Sequence, residues 1–354
     1  MSHTYPTSEL GRTITYQGKD YLHFSGTSYL GMGTLPEFKE LLIQGILKYG
    51  PNHGSSRNSN VQLSLYEVFE TQFAAGAKAD EAVLLSSGYM AGQLAVNTLR
   101  PLADLTWTAP DTHPAITLES QQPIGLTHNQ WQKKCIAKSR ELMGQKILLL
   151  SNAVNPLIPE IHDFEWTKKL SPANKYYLLI DDSHAFGLLG QGVFGTYTQW
   201  EHLPVEVMVA GSLGKALALP AGIILGNPSL IRRVRENSIY RTSSPPAPAF
   251  LNAFLDGQDY YLKQQQKLKD NLQYMASALE GVGRFRFLPT YPVISFEPES
   301  WVEQLHQKGF ILSSFPYPLP DSPAVNRIVL SAWHERKDLE ALVQTLKKLS
   351  DSLR

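Results

Sequence analysis

Cysteine is nearly absent from this chain. Cys135 is the only one in 354 residues, which excludes an internal disulfide and any metal site built from several thiolates, and fits a reducing compartment. A surplus of one charge is missing too: 32 basic side chains meet 32 acidic ones. Nothing therefore favours nucleic acid or an anionic membrane as the main partner, and a small molecule is expected instead. No apolar run reaches the roughly 18 residues of a membrane span. Met1 to Leu10 lacks the apolar segment of a secretory signal, so the expectation is a cytoplasmic protein with no membrane partner. Long charge blocks, low-complexity tracts and internal repeats are also lacking. What remains, 43% hydrophobic and 18% charged, is the composition of a folded protein long enough for one large domain and one smaller one.

Short apolar runs of strand length recur between longer amphipathic stretches: Ala82 to Leu85, Ile147 to Leu150, Tyr176 to Ile180, Val205 to Ala210 and Gly222 to Leu225. That alternation predicts an α/β architecture. The runs are continuously apolar rather than alternating, as in a mostly parallel sheet covered by helices on both faces. Helices are expected over Glu37 to Tyr49, Leu63 to Ala74, Pro228 to Asn237 and, as one long element, Ala249 to Leu279. After Phe285 the pattern becomes α+β. Strands are expected at Pro292 to Phe296, near Phe310 to Ser313 and near Arg327 to Ser331, with helices from Ser300 to Lys308 and Glu335 to Ser352.

In an open α/β sheet, ligands bind beyond the carboxyl ends of the strands. The informative polar residues fall there. Tyr176 to Ile180 runs into Asp181-Asp182-Ser183-His184-Ala185-Phe186-Gly187. Two carboxylates and an imidazole at the end of a buried strand need partners; a divalent cation would supply them, and so would caps and turn hydrogen bonds. Ala82 to Leu85 leads into Ser86-Ser87-Gly88-Tyr89-Met90-Ala91 and then a helical stretch, whose first N–H groups can hold a phosphate. Met208 to Ala210 breaks into Gly211-Ser212-Leu213-Gly214-Lys215-Ala216, a small-residue turn with one amine. A lysine amine forms a Schiff base with an aldehyde and becomes nucleophilic when its pKa is lowered.

Taken in order, these segments resemble the α-oxoamine synthase family of pyridoxal 5′-phosphate enzymes, of the fold type I architecture. The resemblance runs from about Tyr29 to Leu339 through Tyr29-Leu30-Gly31, Tyr49-Gly50 to Gly54-Ser55-Ser56-Arg57, the segments around Gly88, Asp181 and Lys215, and Arg327-Ile328-Val329-Leu330-Ser331. It implies a mostly parallel seven-stranded sheet flanked by helices, with a smaller α+β C-terminal domain. Residues 1–40 would form an N-terminal arm and small-domain segment, 41–245 the cofactor-binding α/β domain, and 246–354 a linker helix and the C-terminal domain. The implied reaction condenses an amino acid with an acyl-CoA and releases CO₂, giving an α-amino ketone, with no metal ion.

Carried over residue by residue, the resemblance gives Lys215 to the cofactor aldehyde and to proton transfer, Asp181 to the pyridinium nitrogen, His184 to the phenolic oxygen and His113 to the ring face. Gly88, Tyr89 and Ser212 would hold the phosphate, Ser212 replacing the family's usual threonine. Thr242 would reach the phosphate of a neighbouring subunit, which implies a homodimer with its sites at the interface. Arg327 would take the amino-acid carboxylate, for which a bidentate guanidinium is suited. Ser28 stands where the family has asparagine and Asn155 where it has serine, so an amide and a hydroxyl are expected to have exchanged places around that carboxylate. Pro156-Leu157-Ile158-Pro159 and Asn60 to Tyr66 depart from the family pattern in stretches bearing on the second substrate. The alternatives are therefore an aminotransferase or lyase that does not use CoA, and a non-catalytic homologue on the same fold, which would be expected to lose Lys215.

Overall fold

The computed structural model describes residues 4–117, 125–155, 157–317 and 321–351. Pro156 and Ser352, which fall within segments singled out above, lie outside the described residues. The chain divides into two compact units: a central one, Glu37–Asn155 with Ile161–Gln258, and a terminal one, Met1–Pro36 with Pro156–Glu160 and Asp259–Arg354.

The central unit is built on a sheet whose spatial order is Glu81–Leu85, Gly222–Gly226, Glu206–Ser212, Lys175–Asp181, Lys146–Asn152, Leu105–Thr108. Six strands occur among the described residues where seven were expected. The four from Glu206–Ser212 to Leu105–Thr108 pair in parallel, and Gly222–Gly226 runs antiparallel to both neighbours. The connection Leu213–Ala221 explains that reversal: it is shorter than the dozen or so residues a parallel crossover needs, so the chain turns straight back. Continuous burial matches the apolar runs, since from Ile147 to Asn152 and from Tyr176 to Asp181 every residue is buried. One core face joins Val83, Leu148, Leu179, Met208 and Ile224 to Leu94, Ala95 and Leu99 of the helix Gly88–Leu99.

The terminal unit carries a second sheet in the order Thr13–Tyr16, Lys19–Phe24, Phe310–Pro316, Ala324–Val329, Val293–Phe296, Phe285–Phe287. Its first two strands form a hairpin over Gln17-Gly18, both at positive φ (51° and 75°), the conformation that suits the strand twist in a two-residue turn. The single helix expected over Ala249 to Leu279 is instead two, Pro248–Asp256 and Gln258–Ala278. Gly257 caps the first through a 3.3 Å bond to Phe254 O, and the unit boundary falls just after it, at Gln258. The closing helix is Arg336–Asp351.

Candidate active site

Register gathers the polar strand ends of the central unit. Asn152 pairs with Asp181, Asp181 with Ala210, Ser212 with Gly222, and Gly222 with Leu85. Asp181, Ser212 and the Ser86-Ser87 turn thus meet at one edge of the sheet. The helix Gly88–Leu99 starts there, capped by Ser87, whose hydroxyl accepts from Met90 N at 3.2 Å. The N–H groups of Gly88 and Tyr89 precede the first intrahelical bond and have no acceptor within the helix.

Gly88 is glycine for a steric reason: a Cβ there would lie 2.3 Å from Ser212 Cβ and 2.4 Å from Ser212 Cα. The helix start and the end of the strand Glu206–Ser212 are therefore in backbone contact, and two of the expected phosphate anchors are adjacent. Ser212 is oriented by its neighbours. Its N–H donates to Ser183 Oγ (2.8 Å), and its own Oγ accepts from Gly214 N (3.1 Å), which leaves its hydroxyl hydrogen free for an anion. Gly222 is equally constrained, since a Cβ would meet Ser87 O at 2.1 Å.

Lys215 lies in the return connection, half-buried. That loop is closed on itself by Leu213 N to Ala221 O and Leu219 N to Leu213 O, each 3.0 Å, and by Ala218 N to Lys215 O at 3.3 Å. Ala218 takes a left-handed φ of 57° to complete the turn. A short turn, held at both ends, presents the amine beyond the strand.

The two carboxylates after Tyr176–Ile180 have separate duties. Asp181 Oδ1 accepts from Ser183 N at 2.8 Å, the turn bond expected of such a residue. Asp182 is fully buried and holds a distant loop: Oδ2 accepts from Thr196 N (2.6 Å) and Oδ1 from Thr196 Oγ1 (2.8 Å), whose oxygen accepts in turn from Trp200 Nε1 (3.0 Å). Burial pushes the Asp182 carboxyl up to about 7, against the two Thr196 bonds and with a contribution from the Asp181 charge. A turn hydrogen bond thus accounts for the Asp181 contact, and long-range bonds to Thr196 for those of Asp182. Asp182 N, bonded to Ala210 O, and Asp182 O, accepting from Ala185 and Phe186 N, start the helical turn on which His184 stands half-buried.

His113 comes from the loop after Leu105–Thr108. Its pKa is lowered, chiefly by burial; the Asp181 carboxylate opposes this and the Lys215 cation adds to it. His113, Asp181 and Lys215 therefore share one electrostatic environment. Ala115 N donates to His113 Nδ1 at 3.1 Å, so a neutral ring carries its proton on Nε2. Tyr89 is largely exposed, and its backbone N–H at the helix start is open to an anion. Thr242 is exposed, its hydroxyl donating to Ser238 O of its own helix at 2.8 Å.

The remaining expected residues divide between the units. Asn155 is buried in the central one. Ser28 and Arg327 belong to the terminal one, where the Ser28 carbonyl accepts from Ser331 Oγ at 2.7 Å. Arg327 is buried, its guanidinium 5.6 Å from the Phe315 ring and its charge acting on the hydroxyls of Tyr29 and Tyr291.

Two groups escaped the sequence reading. Arg57 binds Tyr240 OH (2.8 Å) and both oxygens of Glu70 (3.0 and 3.1 Å), while Glu70 Oε1 also takes Leu84 N (2.9 Å). That buried pair ties the Gly54-Ser55-Ser56-Arg57 loop to the helix Ser238–Thr242. Asp111, His128 and His162 bring ligand-type atoms within 4.8 Å of one another. The two imidazoles stack in parallel, 3.6 Å between centroids and 5° between planes. Their in-plane lone pairs cannot converge on one ion, which argues against a metal there.

Residues 24–346 match the family model described as aminotransferase class I and II. The chain is 24% identical to serine palmitoyltransferase of Bacteriovorax stolpii, over 96% of this chain and 85% of that protein. It is 26% identical to 8-amino-7-oxononanoate synthase of Lysinibacillus sphaericus, over 96% of this chain and 91% of that one. In fold it is similar to a serine palmitoyltransferase from S. paucimobilis with a bound PLP–myriocin aldimine, with a TM-score of 0.82 at 16% identity, covering 99% of this chain and 92% of that one.

Proposed function

This chain belongs to the class I and II aminotransferase family, and from that premise we propose that it is a pyridoxal phosphate-dependent acyltransferase, condensing an amino acid with an acyl-CoA and releasing CO₂. Relatives named serine palmitoyltransferase and 8-amino-7-oxononanoate synthase, matched along nearly the whole chain, support the reaction class. The observation that carries the reading is the shared environment of His113, Asp181 and Lys215 beside the Gly88–Ser212 backbone contact: one amine, one carboxylate, one neutral imidazole and a phosphate-sized set of donors.

The donor chemistry fits the cofactor. The N–H groups of Gly88 and Tyr89 and the Ser212 hydroxyl suit a phosphate at a helix N-terminus. Asp181, a carboxylate on a rigid strand end, suits a protonated ring nitrogen. Burial lowers the His113 pKa and so favours the neutral ring, which stacks on a cationic one without repulsion. His184 suits the phenolic oxygen. Once bound, pyridoxal phosphate supplies an electron sink for charge left on the substrate α-carbon.

Arg327 binds the amino-acid carboxylate, with Ser28 and Asn155 as further contacts. The Lys215 amine receives the α-proton, and Asp181 keeps the charge at the ring nitrogen that makes that loss possible. The α-carbon then bonds to the thioester carbonyl carbon, the C–S bond breaks, and the sulfur leaves as thiolate and takes a proton from water. Loss of the carboxylate as CO₂ follows, and Lys215 returns a proton to the same carbon. In a homodimer, Thr242 of one copy reaches the phosphate of the other. Supplied with amino acids and acyl-CoA thioesters, the protein should release free thiol and CO₂ in equal amounts; transfer of the amino group to a keto acid without thiol release would instead make it an aminotransferase.

A further inference from the structure

His113 stands in a turn whose two ends are both held by one side chain. Asn152 Oδ1 accepts from His113 N at 3.0 Å, and Asn152 Nδ2 donates to Asp111 O at 2.5 Å. Asn152 is buried, ends the strand Lys146–Asn152 and is the register partner of Asp181, so the two side chains share a face of the sheet. Thr112, between the clamped residues, is tied down by its own hydroxyl to Ala109 O (2.8 Å) and Leu150 O (3.2 Å). The turn is therefore anchored to the strand that neighbours Asp181.

A second layer anchors the anchor. Asp111 Oδ2 binds His162 Nε2 at 2.5 Å; His162 stacks on His128, and His128 Nε2 bonds Ser151 Oγ at 3.1 Å, next to Asn152. Burial opposes ionisation of Asp111, but the His162 bond and the charges of His162 and His128 hold its carboxyl below the ordinary range. Ser151 Oγ donates to Asn152 O at 3.1 Å and closes the circuit. All these groups lie in the central unit, on the segments 111–113, 128, 151–152 and 162. Fixing a ring to a few tenths of an ångström requires that its support be locked by packing and hydrogen bonds, which this circuit does.

We propose that Asn152 is a positioning residue for the reaction: with Asp111 and His162 behind it, it holds the turn in which Ala115 N fixes the His113 tautomer, and so sets the plane of the imidazole against the cofactor ring. The role of His113 rests on the function proposed above, but the clamp itself is a property of the protein without cofactor. Its partner contacts are a peptide N–H and a peptide carbonyl, so an amide side chain, donor and acceptor at once, is the one that satisfies both.

The test uses the full-length protein with ¹⁵N-labelled histidine, with and without pyridoxal phosphate, and a His113→Asn spectrum to identify the His113 signal. In the wild type, His113 should carry its proton on Nε2 with Nδ1 as acceptor. In Asn152→Ala that signal should move toward the average of the two tautomers, and the dissociation constant for pyridoxal phosphate should rise roughly tenfold, the loss of one buried hydrogen-bonded constraint. Asn152→Asp keeps the acceptor for His113 N–H but puts a carboxylate oxygen where the donor to Asp111 O stood. It should stand between wild type and alanine, and it carries the test if the alanine variant does not fold. A wild-type His113 signal in the variant, even in a protein of lowered stability, overturns the proposal. Failure of the wild type to bind pyridoxal phosphate at all would instead count against the parent reading, while the imidazole comparison would still decide the clamp.

Discussion

At the scale of the residue, the side chains proposed to carry the chemistry could be picked out because each sits where an apolar run ends: Asp181 and Ser212 close buried strands, and Gly88, His184 and Lys215 follow such strands. Asn152, Asp111 and His162 could not. Their partners come from distant segments, Asp111 and His162 being 51 positions apart, and no local pattern announces such a pair. Gly88 shows a case in between, where the sequence named a phosphate turn but not the reason for glycine. An alanine methyl at that position would sit 2.3 Å from Ser212 Cβ and 2.4 Å from Ser212 Cα, so Gly88→Ala must push the helix start away from the strand end. The expected outcome is at least a roughly tenfold loss of affinity for pyridoxal phosphate, about 1.4 kcal/mol, read by fluorescence titration, with the fold retained in circular dichroism. Unchanged affinity would remove Gly88 from the anchor.

At the scale of the element, continuous apolar runs marked the buried strands because both faces are covered, and periodicity marked most of the helices. The long linker helix failed at Gly257, where one residue was enough to end it. Elements with weak apolar signal were missed: the hairpin Thr13–Tyr16 with Lys19–Phe24, the short strand Leu105–Thr108, and the helix His128–Arg140. That last helix did carry a usable mark, the capping box between Thr127 and Gln130. Gly195 belongs to this scale too, because it lets the loop it occupies close on Asp182. Its φ is +83°, and a Cβ there would lie 2.4 Å from Asp182 Oδ2 and 2.7 Å from the Phe186 ring. Gly195→Ala combines backbone strain with overpacking and should cost about 2–4 kcal/mol in urea unfolding. A change within experimental error would mean the loop can shift without disturbing Asp182.

At the scale of the whole molecule, the two units differ in architecture, the central sheet being mostly parallel and the terminal one mostly antiparallel. Among the described residues no helix is long and apolar enough to cross a membrane. Buried histidines give the fold a defined acid sensitivity. His334 stacks on Phe24 at 4.0 Å and bonds His23 O at 3.0 Å, and burial pulls its pKa from 6.5 to about 4, against its backbone bonds and the Asp338 charge. The unfolded chain takes up this proton first, so the His334 contribution is present above about pH 6.5 and lost as pH falls toward 4. His128, lowered by burial to about 3, acts in the same direction. Asp182, raised to about 7, acts oppositely, its folded form taking up a proton before the unfolded chain does. Comparison with His334→Gln isolates one group: between pH 6.5 and 4 the wild type should lose up to about 3 kcal/mol more stability than the variant. Parallel pH profiles would show that His334 is not held neutral by the fold.

The relationship of Lys215 to the cofactor underlies everything else, and one measurement addresses it directly. The wild-type protein is incubated with pyridoxal phosphate, reduced with borohydride to make the attachment permanent, digested and mapped by mass spectrometry. The phosphopyridoxyl mass should fall on the peptide containing Lys215 and be lost in Lys215→Ala together with the visible absorbance of the bound cofactor. Attachment at a different lysine, or no attachment in the wild type, would contradict the account.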